Sequence, residues 1–338
     1  MQASENKKIK KRKSVNTEIA NTKNVRHGIW LRVISFAVVV VLLLIGAGKL
    51  CDPIRLGLQD SVSERERYLL HLLSEPEEMV DVAILGDSES YTLVSTYQLW
   101  KEAGIASYIG GQSGQWIGES YFSLKKILKR QSPKVLILET NEFFSRGDAS
   151  VIKDAAKSAQ EFARQMFPIL KYHRFWKMEP ADPKLQTTIF NGFELRAAVT
   201  PYTGGGYMHT TDDRTPVTFI TRYYLDKIKR LCDAHGTKLL FVTAPSPVNH
   251  TMQRHNEVQA LAVPYLDLNL NTEELGIDWN LDTLDGGDHL NYTGCQKATA
   301  YLQWYMQTHY TLPDRRDDVR YEAWNKQAEE FEKLLPQP

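Results

Sequence analysis

The stretch Val80-Asp81-Val82-Ala83-Ile84-Leu85-Gly86-Asp87-Ser88-Glu89-Ser90 decides how the rest of the chain is read. A short apolar run stops at a glycine, and Asp and Ser follow, residues favoured at helix N-caps. That is the pattern of a buried strand turning into a helix. Four more short apolar runs lie downstream, at 106–109, 134–138, 238–243 and 263–268. Helix-like patterns separate and follow them at 94–103, 115–130, 151–166, 217–235, 252–261 and 292–308. Strands alternating with helices predict an α/β fold, a three-layer α/β/α domain around a five-stranded, mainly parallel sheet.

Upstream of this domain the chain changes character. Residues 51–79 are polar and helical in pattern, with Leu69, Leu70, Leu72 and Leu73 as the apolar stripe, and predict a connecting helix. Before them, Ile29–Leu50 is apolar on every face, long enough for the ~20 residues a membrane span requires. Arg32 and Lys49 can snorkel from its two ends, with Trp30 at the interface. The formal net charge is zero, but residues 1–28 hold eight Lys/Arg against two acids, so the remainder carries the opposite excess. The positive-inside rule places that basic head in the cytoplasm and everything after residue 50 outside, as a single-pass protein of the cell membrane. A cleaved signal peptide, cut near Gly46-Ala47-Gly48, is the alternative. The expected organisation is a basic head at 1–28, an anchor at 29–50, a connecting helix at 51–79, a domain at 80–312 with an insertion at about 145–216, and a helical tail at 313–338.

Composition narrows the function classes. Apolar residues at 42% and charged residues at 24% exclude a disordered chain and a polytopic membrane protein. A neutral total points away from a nucleic-acid partner. Cys51, Cys232 and Cys295 have no CxxC spacing and are read as buried, unpaired thiols, with one Cys232–Cys295 bridge as the alternative. The nine histidines show no HExxH-type spacing, so neither a metal nor a cofactor is expected. Gly204-Gly205-Gly206 lacks the Lys-Ser/Thr of a phosphate loop and reads as a loop beside the site. Asn249-His250-Thr251 and Asn291-Tyr292-Thr293 match the glycosylation pattern by chance.

Ligands of open parallel sheets bind at the carboxyl ends of the strands, so the polar residues after each strand are the candidates. They are Gly86-Asp87-Ser88 after the first, Gly111-Gln112-Ser113-Gly114 after the second, Glu139-Thr140-Asn141 after the third and Ala244-Pro245-Ser246-Pro247 after the fourth. Asp285-Gly286-Gly287-Asp288-His289 precedes the last long helix. A serine nucleophile needs a base, a group that orients the base, and donors for the oxyanion. Ser88, His289, one of Asp285 and Asp288, and the pair Gly114 and Asn141 supply these in turn; the fourth cluster receives no role. Each motif alone is more often a cap or a turn. Their order is the stronger signal.

That order resembles the blocks of the SGNH, or GDSL-type, hydrolase superfamily over roughly residues 80–310. The resemblance implies Ser88 as nucleophile and oxyanion donor, Gly114 and Asn141 as the other donors, and an Asp–His289 pair as the base. Two departures stand out. The usual Asp-x-x-His spacing would put the acid at Gly286, so Asp285 is favoured over Asp288, and Asn141 lacks the flanking Gly and Asp. With the anchor, Tyr172-His173-Arg174-Phe175-Trp176 and His289-Leu290-Asn291-Tyr292-Thr293-Gly294, the chain resembles DltD-like and alginate O-acetyltransferase-like proteins. That implies D-alanyl or O-acetyl transfer to a cell-envelope polymer, teichoic acid or polysaccharide, beside a membrane-bound O-acyltransferase. Residues 172–176 and 202–209 are the expected acceptor groove. The alternatives are an SGNH carbohydrate esterase and a catalytically idle SGNH-like binding domain.

Overall fold

The computed structural model describes residues 29–58, 64–144, 151–172 and 189–336. The basic head and His173 to Trp176 of the aromatic run lie outside the described residues. The chain forms two compact units. One holds the apolar helix α1 (Ile29–Leu50) and the single turn Ile169–Tyr172. At ~1.5 Å per residue the 22 residues of α1 reach about 33 Å, enough to cross the ~30 Å hydrocarbon core of a bilayer.

The other unit is an α/β domain. It begins with α2 (Glu64–Ser74), whose Leu69, Leu70, Leu72 and Leu73 are all buried. Then come β1 (Val82–Leu85), α3 (Ser88–Leu93), α4 (Thr96–Ala103), β2 (Ser107–Ile109), α5 (Ile117–Ile127), β3 (Val135–Glu139) and α6 (Val151–Met166). A two-residue hairpin, β4 (Ile189–Phe190) with β5 (Phe193–Glu194), follows in the insertion, where no strand is expected from the sequence. The remainder is α7 (Phe219–His235), β6 (Lys238–Thr243), α8 (Met252–Gln259), β7 (Tyr265–Asp267), α9 (Tyr292–His309) and α10 (Glu322–Glu332).

The main sheet has five strands in the order β2-β1-β3-β6-β7, every pair parallel. Each expected apolar run coincides with one of these strands, β3 extending one residue past its run to Glu139. Every residue of β1 and β3 is buried, which is why both read as unbroken apolar runs and do not alternate. Helix limits are equally local in origin. Thr218 and Gly236 bound α7, the threonine accepting from the Thr221 N–H and the glycine turning left-handed at φ 71°.

The segment read as a helical tail is part of the core. Tyr321, Trp324 and Phe331 are buried, and Trp100 stacks on Tyr321 with ring centroids 5.5 Å apart. At the amino end of the sheet, the Arg315 guanidinium donates to both oxygens of Asp81, at 2.8 and 3.0 Å. The β4–β5 turn covers the outer edge of β2, where the Ile109 N–H donates to Asn191 O. Cys51, Cys232 and Cys295 are free and buried, so the Cys232–Cys295 bridge does not form. Burial pushes the Cys232 and Cys295 thiols up to about 12.

Candidate active site

Three neighbouring strands deliver the first three motifs. β1 runs between β2 and β3, with Ile84 opposite Ile109 and Leu85 opposite Leu138. Adjacent strands are ~4.8 Å apart, so the segments leaving their carboxyl ends are neighbours too. The turn at Gly86 is compulsory. Its φ is 148°, and a Cβ there would come within 2.5 Å of the Glu139 Cβ. Asp87 then caps α3, accepting from the Glu89 N–H at 3.0 Å, and Ser88 opens the helix.

The loop after β2 lies against this turn. The Gln112 N–H donates to Gly86 O at 3.1 Å, while Gly114 is exposed at φ 59°. Arg65 of α2 holds the loop by donating to Ser113 O and to both oxygens of Glu119. On the other side, Asn141 donates one amide hydrogen to Asp87 Oδ2 at 2.9 Å. Its carbonyl accepts from Arg254 Nη1 at 3.1 Å, so the side chain is held at both ends. The amide retains a second hydrogen.

The Asp285–His289 loop closes the arrangement. A bridge between Thr283 and Leu290 pinches its base. Gly286 and Gly287 cross it at φ 77° and 94°, a path that favours glycine. This double turn brings Asp285 back over His289. Its Oδ1 accepts the His289 backbone N–H at 2.8 Å, and its Oδ2 accepts from Nδ1 at 2.7 Å. Asp288 Oδ2 lies 3.9 Å from the same nitrogen. With Nδ1 protonated, Nε2 is the acceptor for the Ser88 hydroxyl at 2.8 Å. Ser88, His289 and Asp285 therefore form one hydrogen-bonded chain along which a proton can leave the serine.

The fourth strand-end cluster also belongs to the site. Ser246 Oγ donates to Gly287 O at 2.8 Å and fixes the histidine loop. Sequence reasoning also passed over a buried polar layer behind the serine. Glu89 and His250, 1% and 3% exposed, meet at 2.6 Å. Asn249 donates to Glu89 Oε1 at 2.6 Å and to Asp288 Oδ1 at 2.5 Å, tying the nucleophile helix to the histidine loop. Glu139 accepts the Asn141 backbone N–H on both oxygens. The available signal was position: Glu89 and Glu139 are charged residues beside strand ends, where buried acids need partners.

Carboxyl groups outnumber basic side chains in this layer. Asp87, Glu89 and Glu139 face His250 and Arg254. Burial pushes the Asp87 carboxyl up to about 6, and the charge on Glu89 adds to it. Burial, with Glu89 and Asp87 adding, drives Glu139 well above its ordinary range. The layer thus retains a proton where an exposed carboxyl would have lost it. Glu89, Glu139 and His250 bring ligand atoms within 4.8 Å of one another, as do Asp285, Asp288 and His289. Protein hydrogen bonds already engage both oxygens of Glu89 and of Glu139, His250 Nε2, and the Asp285–His289 pair.

No family model matches the chain, and no curated protein matches it. Among solved structures it is similar to a proposed acylhydrolase from Bacteroides fragilis, at 13% identity over 72% of this chain and 96% of that one, with a TM-score of 0.36. It is also similar to an acetyl xylan esterase, AlAXEase, at 16% identity over 67% of this chain and 98% of that one, with a TM-score of 0.27. At these scores neither likeness carries functional weight, and the chemistry is read from the residues.

Proposed function

We propose that the chain is a membrane-anchored serine acyltransferase or esterase of the SGNH type, acting outside the membrane on cell-envelope polymers. The observation that carries this reading is the chain Asp285–His289–Ser88, with hydrogen bonds of 2.7 and 2.8 Å at the carboxyl edge of a parallel sheet. Ser88 Oγ attacks the carbonyl carbon of an ester while its proton passes to His289 Nε2. Asp285 holds the imidazole and stabilises the imidazolium. The oxyanion is received by the Ser88 and Gly114 backbone N–H groups and the free amide hydrogen of Asn141, each side donor contributing about 3 kcal/mol. His289 returns the proton to the leaving oxygen, which leaves an acyl-Ser88 ester. A second hydroxyl then gives its proton to His289 and takes the acyl group.

Whether that hydroxyl belongs to water or to a polymer separates esterase from transferase. The anchor favours transfer, because α1 would hold the site at the membrane face where a membrane-bound O-acyltransferase would deliver an acyl group. A fluorophosphonate probe tests the nucleophile directly. The full chain in detergent should be labelled, and Ser88→Ala should lose the label while keeping its melting temperature. In the same preparation, release of p-nitrophenol from p-nitrophenyl acetate should rise when a polyol or glycan is added. Labelling that persists in Ser88→Ala would end the proposal, and turnover indifferent to any acceptor would assign the esterase.

A further inference from the structure

Helix α6 turns its polar side inward. Asp154 is buried and accepts from Thr218 Oγ1 at 2.7 Å, Ser158 pairs with Tyr224 at 2.6 Å, and Glu161 is buried one turn further on. Its apolar residues point elsewhere. Ile152, Ala156, Ala159, Phe162 and Met166 are spaced four, three, three and four apart, which at 100° per residue confines them to an arc of about 120°. In a soluble domain such an arc faces the core. Here it faces out: Ile152 is 82% exposed, Phe162 56% and Met166 46%, and both alanines are exposed.

Where the chain goes next names the surface that covers this stripe. Two residues after Met166, Pro168 packs on the last turn of α1: a Cβ added at Gly48 would come within 2.9 Å of Pro168 Cδ. Both residues belong to the unit that contains α1. Pro168 O then accepts the Tyr172 N–H at 2.9 Å and closes a turn whose Leu170 is 49% exposed. Six residues of chain reach at most about 21 Å even when fully extended, so Phe162 is tethered within that distance of the end of α1. Exposed apolar surface of this extent marks a contact with protein or membrane, and the tether selects the membrane. Charge agrees with that choice. Asp154 and Glu161 are turned into the domain, while Lys153 and Lys157 are exposed and Arg164 is half-buried, the sign that anionic headgroups attract.

We propose that α6 is an interfacial helix, lying along the bilayer surface with Ile152, Phe162 and Met166 in the lipid and its polar side carrying the domain. Helices of this kind sink their apolar face about 5–10 Å into the boundary between headgroups and acyl chains. The inference rests on the reading that α1 spans the membrane, and it is independent of the chemistry at Ser88. Its consequence reaches the proposed active site. α6 and the loop of Gly114 line one cavity of about 170 Å³ within the same unit, so a helix held on lipid also holds that site at a fixed angle to the bilayer, which a single span does not do by itself.

The test uses the full chain reconstituted in vesicles of phosphatidylglycerol and phosphatidylcholine, with one spin label at a time on Ile152→Cys, Phe162→Cys, Leu42→Cys or Glu330→Cys. Cys51, Cys232 and Cys295 are buried, so wild type serves as the labelling blank. All four positions are exposed, and an unchanged melting temperature shows that each variant is folded. Collision of the label with oxygen, which partitions into lipid, is compared with collision with a water-soluble nickel chelate. Labels on Ile152→Cys and Phe162→Cys should favour oxygen about threefold or more over the label on Glu330→Cys, and Leu42→Cys in α1 should favour it most. Lipid contact at Leu42→Cys with water contact at Ile152→Cys and Phe162→Cys would overturn the interfacial helix and leave the span standing. Water contact at all four positions would overturn the span and the helix with it. A label on Phe162→Cys shut off from both reagents would mean that protein, from this chain or a second copy, covers the stripe, and would overturn the lipid contact.

Discussion

The two ends of the central sheet solve the same problem in opposite ways. Both bury carboxylates. At the amino end Asp81 is matched by the two-pronged guanidinium of Arg315, and the Met79 and Val80 N–H groups are satisfied by Gln131. At the carboxyl end Asp87, Glu89 and Glu139 crowd behind one serine with His250 and Arg254 beside them, and Asp87 and Glu139 are held above their ordinary range. One end is neutralised and serves stability. The other keeps an excess of acid close to the proposed nucleophile, as sites that handle protons commonly do.

The strongest way to break this contrast is at the histidine loop. Asp285→Ala should lower kcat by about 10³ to 10⁴-fold with little change in melting temperature, because the imidazole loses its orienting partner. Asp288→Ala, 3.9 Å from the ring, should cost less than about tenfold. Steady-state hydrolysis of p-nitrophenyl acetate compares them, and equal losses would mean that the two acids share the role.

At the amino end the expectation reverses. Arg315→Ala leaves Asp81 buried without its cation and should destabilise the domain by about 3 kcal/mol, read by denaturant titration. The kcat of the folded fraction should stay within about twofold. A large loss of kcat would show that the two ends are coupled through the strands.

The smallest effect sharpens the comparison by its sign. Glu139 binds its proton more tightly folded than unfolded, so its contribution to stability falls as pH rises above about 4.5, where the unfolded carboxyl ionises. Glutamine has no proton to lose. Glu139→Gln should therefore gain stability relative to wild type as pH rises from about 4 to 7, read by denaturant titration at each pH. A constant offset across that range would mean that the Glu139 carboxyl titrates alike folded and unfolded.

Legibility in the sequence followed the range of the interactions. Apolar runs and helical periodicity are local, so five strands and the bounds of α6 could be read directly. The four-residue spacing from Asp285 to His289 looked like a departure, yet Gly286 and Gly287 supply the extra turn that it requires. The Glu89–His250 pair spans 161 positions and follows no spacing rule. Asn249 carried a misleading local pattern, while its contacts to Glu89 and Asp288 exist only in three dimensions. The β4–β5 hairpin was illegible because two-residue strands have no period to detect.

The C-terminal clasp has a consequence for how the chain matures. Tyr321 Oη donates to Met79 O across 242 positions, and Trp324 Nε1 donates to Glu75 Oε2 across 249. Synthesis runs from the amino end, so β1 emerges long before the aromatic residues that cover its approach. The core is completed only when Tyr321, Trp324 and Phe331 are in place, contacts of long sequence separation that are slow to form. The clasp works as a lock on the sheet: strands made early are covered only when the aromatic residues at α10 arrive.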